Sequence, residues 1–527
     1  MRNVYIKLSI IAVAIILFSI TANAQFNLGI ATSNWSGTNS LYLNPANIAD
    51  AREKFTIDLF SLNMGVDNNL GSLNSKGGLI GAVTNGNTNN MFAYSNNNQF
   101  SLLAPYARVN GPGFMISINH KHSIAFTTAI RGMNQFNNFD KTLYQTITNT
   151  SSVASGNVDI TSSKFNYTAH LWSEAGLSYA GVLLDKEHNE LKVGATLRYL
   201  GGIAYVGLKG DNLNAKYTSG SDSFLAATNS DIEYSSNVLS TSSAISNGLS
   251  NNSLLSEFFS GKAGNGIGGD IGIVYDYIKD PNRETYDMDG KTGLVDYSKN
   301  RYTLRLSASV VDIGSILYNS SNNSNAEIRG NGVLTGTGLK NNISNYTDFR
   351  NYIVGQGFTA DTVHKNTSVY MPTRLLLSAD YDIYKRWYIN ATFIANLANR
   401  QNFGNSYYNQ ITVTPRYDTR WLSVGLPITY SMLSNSLKAG IGIRVSGFFV
   451  GSDDMLALFA NHQYGFNFYI GGFVPFDKFK PKDRDGDHVS NRKDECPDQF
   501  GTWENRGCPV ADKDKDTEKE SDDKTEN

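Results

Sequence analysis

The chain has only two cysteines, eleven prolines and seven histidines in 527 residues, and 17% of it is charged. Ordinary soluble domains carry about 25% charged residues, so the sequence is short of the groups that keep a soluble surface wet. Its formal net charge of -2 leaves no basic excess for phosphate, which argues against nucleic acid as a partner. Its longest apolar run, Leu8–Ile20, falls short of the ~20 residues a spanning helix needs, so any crossing of a membrane must be made with strands. No histidine falls beside a serine and an acid on a recognisable motif, so no enzyme is expected.

That apolar run follows Arg2 and Lys7 and precedes Ala22-Asn23-Ala24. A basic start, a short apolar stretch and a small-residue cleavage site predict a signal peptide over 1–24, with Gln25 first in the mature chain. No cysteine follows the cleavage site, so no lipoprotein acylation is expected. The two cysteines, Cys496 and Cys508, lie close together near the C-terminus, and in an oxidising exported compartment they should pair.

What the sequence does have is alternation. In Pro372–Asn396, Leu375, Leu377, Ala379, Tyr381 and Ile383 point one way from a strand, and Arg374, Leu376, Ser378, Asp380 and Asp382 the other. After Tyr384–Arg386 the pattern resumes with Trp387, Ile389, Ala391, Phe393 and Ala395, and aromatics gather at the turn. The pattern recurs from Phe55–Val66 to Tyr464–Phe476, with Gln99–Asn119 bent at Gly111-Pro112-Gly113 and late strands at 421–431, 436–449 and 454–461. It predicts an all-β fold: an antiparallel transmembrane β-barrel of about 14 strands over 55–476. The polar segments 67–98, 138–164, 209–265 and 319–366 then fall at one end and the short turns at the other, as in outer-membrane barrels. The connection 279–300 is long for a periplasmic turn. The irregular segment 25–54 is expected to plug the lumen.

If the apolar faces touch lipid, the polar faces line the lumen with Arg131, Lys192, Arg198, Asp270, Arg305, Arg374, Asp380, Lys438 and Arg444. Facing lipid, an Arg or Lys would cost about 2–4 kcal/mol at the midplane. Inward, these residues form either a ladder of ion pairs or a conduction path, and their basic excess would favour anions in an open lumen.

After the barrel, oxygen donors fall at loop positions 1, 3, 5, 9 and 12 (Asp483, Asp485, Asp487, Asn491 and Asp494), with the Val489 carbonyl at position 7. That spacing suits a hard cation such as Ca²⁺. The usual glycine at position 6 is His488, and the usual Glu at position 12 is an Asp; both departures predict weaker binding. Together with Cys496-Pro497, Gly501 and Gly507-Cys508-Pro509, the segment 483–509 resembles a thrombospondin type-3 repeat, which implies calcium on those aspartates. In related proteins such repeats often lead into a peptidoglycan-binding domain. Here a charged segment, 510–527, follows instead and is expected to be disordered.

The barrel portion resembles the fatty-acid-transporter-like (FadL-like) barrels and an uncharacterised family of similar exported barrels. The motifs that carry this are Asn44-Pro45-Ala46, Gly111-Pro112-Gly113-Phe114-Met115 and Gly268-Gly269-Asp270-Ile271-Gly272. The resemblance implies a barrel in the outer membrane of a Gram-negative bacterium, in contact with its lipid, with the repeat in the periplasm. It also implies a channel or transport barrel, for hydrophobic compounds in some members. The alternatives are a non-conducting scaffold of a secretion or surface-protein assembly, with protein partners at the extracellular loops or the repeat, and a surface adhesin.

Overall fold

In the computed structural model, residues 27–84, 92–148, 157–162, 164–211, 213–218, 223–237, 263–320, 324–342, 346–363 and 365–509 are described. The expected signal peptide over 1–24, the charged segment 510–527 and the stretch 238–262 lie outside the described residues.

The alternation builds fourteen antiparallel barrel strands. They are β1 (Glu53–Asn68), β2 (Gln99–Asn110 and Gly113–Ser117), β3 (His122–Asp140), β4 (Phe165–Lys186), β5 (Asn189–Gly210), β6 (Gly264–Tyr277) and β7 (Leu304–Tyr318). Then come β8 (Arg374–Tyr384), β9 (Trp387–Asn396), β10 (Gln410–Asp418) and β11 (Leu422–Gly425 and Ile428–Ser431). The last are β12 (Ser436–Ala439 and Ile441–Val445), β13 (Phe448–Ser452) and β14 (Gly465–Asp477). Each pairs with the next, and β14 returns to β1, for example Ile57 opposite Val474. Closure leaves the barrel no open edge, which hydrocarbon demands.

Both faces of this sheet carry the predicted polarity. Leu197, Leu377 and Leu437 face outward at 65%, 41% and 63% exposure, whereas Lys192, Arg198 and Arg374 are buried inside. Apolar outside and charged inside is the reverse of a soluble protein, and it is the arrangement lipid requires. The turn of the β8–β9 hairpin is the two residues Lys385 and Arg386, both at positive φ (38° and 80°), which fits the twist of its strands.

Two local readings are corrected. The segment 454–461 is no strand; Leu456–Phe459 is a short helix, and the thirteenth strand is Phe448–Ser452. Its apolar run fits either period, and the turn at Ser446-Gly447, with Ser446 at φ 53°, ends β12 earlier than the alternation suggests. The alternation over Arg301–Tyr318 puts Tyr302 on the apolar face with Leu304 and Leu306, but Tyr302 stands before the first residue of β7 and is buried in the lumen.

The described parts of the long polar segments carry strands and helices as well. Strands Asn157–Ser162, Leu213–Thr218, Ser223–Ser236, Ser324–Thr335 and Phe358–Thr362 pair in that order and extend the barrel wall through β5. Phe349 of the helix Tyr346–Gly355 joins Phe139, Phe165, Ile328 and Phe358 in one buried cluster that gives this head its own core. At the other mouth, the connection 279–300 forms a hairpin, Thr285–Met288 with Lys291–Val295.

Candidate functional site: the plugged lumen and the C-terminal loop

Residues 27–52 run inside the barrel. They form one helical turn, Leu28–Ala31, and two 3-10 turns, Gly37–Tyr42 and Pro45–Ile48. Asn44 starts the last: its Oδ1 accepts from Ala46 N at 2.9 Å, and Pro45 occupies the first helical position, where no N–H is needed. The other end of the Asn44 amide donates to the Ile273 and Ala308 carbonyls of β6 and β7 (3.0 and 3.2 Å). So close an approach needs a wall without side chains. A Cβ on Gly194 of β5 would stand 2.5 Å from the Ala46 nitrogen, and one on Gly272 of β6 would overlap the Asn44 amide. This explains why Asn44-Pro45-Ala46 and Gly272 occur in one chain.

The start of the segment is held by carboxylates. Asp453 accepts from Leu28 N (2.8 Å) and Gly29 N (3.1 Å), and Asp418 accepts from Ser33 Oγ and Asn34 N, both at 2.8 Å. Between this segment and the wall lies a cavity of about 60 Å³, bordered by Asn34, Ser40, Asp50, Arg305 and Asp380. A dry apolar cavity of about 150 Å³ holds benzene; this smaller space, bordered by polar and charged groups, suits water.

The upper lumen is filled from the opposite side. The connection 397–409 between β9 and β10 turns inward and buries Phe403, Tyr407 and Tyr408. Gln135 of β3 holds it at both ends of its amide: Oε1 accepts from Ser406 N, and Nε2 donates to Ser406 O, both at 2.7 Å. Asn405 donates to Thr168 O at 3.0 Å. Around it stand Leu103, Trp172, Leu200, Tyr205, Ile316 and Tyr318.

All nine sequence-predicted lumen residues face inward and have partners. Arg131 binds Asp312 (2.8 Å) and Glu174 (2.9 Å). Arg198 pairs with Asp270, and Arg374 with Asp312. Lys192 meets Asp276 (2.8 Å) and Glu190 (2.9 Å), and Arg305 forks onto Asp276 (2.7 and 2.8 Å). Asp380 takes both arms of Arg416 (2.6 and 2.7 Å). Lys438 meets Asp67 at 2.9 Å, and Arg444 lies 3.7 Å from Asp418 while donating to the Thr419, Arg420 and Ser446 carbonyls. Sequence reasoning missed Asp67, Glu174, Glu190, Asp276, Asp312, Arg416 and Asp418, and also Asp50, 3.8 Å from Lys192, and Asp454, 3.7 Å from Lys438. Those on regular strands, such as Glu174 and Arg416, were findable from parity. With them included, the basic excess expected from the shorter set disappears.

In the C-terminal loop, one carboxylate oxygen each of Asp483, Asp485 and Asp487 lie within 4.8 Å of one another. The chain wraps them by local hydrogen bonds: Asp483 accepts from Gly486 N (2.8 Å) and His488 N (3.0 Å), and Asp487 from Val489 N (2.8 Å) and Gly501 N (3.1 Å). His488 takes the left-handed conformation, φ 64°, that a glycine usually supplies at position 6. Asp485 Oδ2, Asn491 Oδ1 and Asp494 Oδ2 are buried with no hydrogen-bond partner among the described residues. Burial and the neighbouring Asp487 and Asp494 charges raise the Asp485 carboxyl. Converging, unpaired oxygens of this kind fit a hard cation. Cys496 and Cys508 form a disulfide that ties the segment behind the loop.

Comparison with solved structures finds similar barrels. A FadL homologue of Pseudomonas aeruginosa aligns at 10% identity and TM-score 0.37, over 87% of this chain and 99% of its own. The toluene transporter TodX of Pseudomonas putida aligns at 9% identity and TM-score 0.31, over 86% and 97%. The translocator domain of the autotransporter NalP from Neisseria meningitidis aligns at 8% identity and TM-score 0.27, over 80% and 88%. None of the curated proteins matches this chain. Residues 45–453 match the family of unknown function DUF5723, and the chain belongs to that family.

Proposed function

We propose that this protein is an outer-membrane transport barrel of a Gram-negative bacterium, seen closed, in which residues 27–52 and the connection 397–409 are its inner and outer gates. The observation that carries this reading is the inner segment. It is a separate piece of chain, seated on glycines and held by hydrogen bonds to Asp453, Asp418, Ser309 and the Ile273 and Ala308 carbonyls, with no strand pairing to the wall among the described residues, so it can leave without unpicking the wall. Apart from Asp50, which lies 3.8 Å from Lys192, the partners in these ion pairs stand outside the segment, and they keep the lumen polar and rigid once it leaves. The outer gate rests on Trp172, Tyr205, Tyr318 and Leu200, and its withdrawal would bare an apolar, aromatic lining. That lining suits a small hydrophobic compound. No chemistry on the cargo is implied.

The C-terminal segment is read as a periplasmic calcium-binding repeat. Asp483, Asp485, Asp487, Asn491 and Asp494, with the Val489 carbonyl, would hold the ion; the support is the set of unpartnered oxygens. The ion would supply local order.

A second reading is favoured by the folded head. Its outer strands, Asn157–Ser162 and Phe358–Thr362, each pair on one side only among the described residues, and open edges invite added strands. On that reading the barrel is a scaffold for another exported protein. The two are separated by reconstitution. Full-length barrel and a variant lacking 27–43 are placed in liposomes loaded with a small aromatic dye. Release through the truncated barrel alone supports transport; retention in both, with a protein cross-linked at the head, supports the scaffold.

A further inference from the structure

The hairpin at 279–300 and the C-terminal loop meet in one compact contact. The hairpin turn is Asp289-Gly290, with φ of 57° and 73°, a conformation that Asp-Gly adopts readily. Asp289 N–H donates to the His488 carbonyl at 2.8 Å. Its Oδ1 accepts from Ser490 N at 2.9 Å, and its Oδ2 from Ser490 Oγ at 3.2 Å and Lys493 Nζ at 3.0 Å. Gly290 leaves room for Trp503, whose ring would stand 2.6 Å from a Cβ there, and Lys493 lies 5.3 Å from the centre of that ring.

The residues used are informative. The hairpin holds loop positions 6, 8 and 11 (His488, Ser490 and Lys493). Over 487–494 the oxygen donors read as metal ligands are positions 5, 7, 9 and 12 (Asp487, Val489, Asn491 and Asp494), with positions 1 and 3 (Asp483 and Asp485) just before them. The two sets alternate along one stretch of backbone. Fixing either set therefore fixes the other, and neither can be ordered alone without prepaying for its neighbour.

We infer that the hairpin is the docking platform of the C-terminal repeat, and that docking and calcium binding are one coupled event. This rests on the calcium reading given above. A divalent cation in the loop orders 487–494 in the form that Asp289 receives, and the docked hairpin raises the affinity of the loop for the cation by the same factor. The ion thus fastens the repeat to the barrel mouth, and its loss frees the repeat to hang from the segment after β14.

The test uses the full-length barrel in detergent, titrated with CaCl2 by calorimetry, and the variant Asp289→Gly. Glycine keeps the left-handed turn but removes every carboxylate contact, and it lies outside the repeat, so the loop sequence is untouched. Amide exchange of 285–295 with and without Ca²⁺ is the second readout. The expected result is calcium affinity about 5- to 30-fold weaker in Asp289→Gly, and calcium-dependent protection of 285–295 in wild type only. Equal affinities in the two proteins overturn the coupling and leave the calcium reading standing. No calcium binding by either protein overturns both.

Discussion

The Arg131 guanidinium forks onto the Asp312 carboxylate across the lumen, Nη1 to Oδ1 at 2.8 Å and Nη2 to Oδ2 at 3.1 Å, joining β3 to β7. Asp312 also carries Arg198 and Arg374, and its own N–H donates to Asp270 at 2.8 Å. One carboxylate thus sits among three guanidinium groups on β3, β5 and β8.

Replacing it should therefore cost more than any surface pair. Asp312→Ala leaves three buried cations short of an anion, a loss of about 3–5 kcal/mol for a broken buried pair. The temperature at which the folded, fast-migrating gel band disappears should fall in this variant. An unchanged temperature would mean that water replaces the carboxylate at little cost.

A second prediction concerns the seat of the inner gate. Gly194→Val puts branched carbons where the Pro45-Ala46 backbone lies, and that backbone cannot yield as a side-chain tip can. The variant should keep its barrel but expose residues 27–52 to added protease. If the segment stays protected, the seat is softer than the contacts suggest.

The outer gate gives a third prediction. Gln135→Ala removes both bonds to the Ser406 backbone. Alone it should raise exchange at 402–408 and open no path, because 27–52 still fills the lumen below. Combined with loss of 27–43 it should increase leakage beyond the truncation alone. Leakage from the single variant would show that the two closures are not in series.

The folded head should be acid-sensitive. Burial by itself would raise the Glu233 carboxyl, but Lys365 at 2.6 Å, with Lys209 at 3.1 Å, outweighs it and holds the group below the usual carboxylate range. A depressed carboxylate contributes stability that is present above its unfolded value, ~4.3, and is lost as pH falls through the folded value. Protection of strand Ser223–Ser236 should therefore weaken below about pH 4. Glu233→Gln should be weaker at neutral pH and flatter with acid. Screening by salt should blunt both effects, since Lys365 is partly exposed.

Much of the barrel was legible because its two solvents differ so sharply. Leu377, Tyr381 and Ile383 outward with Arg374, Asp380 and Asp382 inward is a pattern that a period of two makes visible. Asp312 was hidden by backbone geometry. At φ 57° it breaks the period of β7, so Val311 and Asp312 both turn inward and the strand no longer alternates. Phe448–Ser452 was hidden by length, since a five-residue strand beside an apolar helical run gives no separate signal. The head was hidden by composition. Its strands are rich in Ser, Asn and Thr, and their pairing comes from the barrel strands that feed them. Lumen residues were legible where parity fixed them, as for Arg198. The partners that neutralise them come from distant strands, and no local pattern names them.

The most direct measurement is single-channel conductance across a planar bilayer, comparing the full-length barrel with the variant lacking 27–43. The account predicts a silent wild type with rare openings, and a truncated barrel that is folded by gel shift and conducts steadily. A truncated barrel that folds, inserts and remains silent would contradict it. The lumen would then be a filled core, and the barrel a scaffold for what binds at its two mouths.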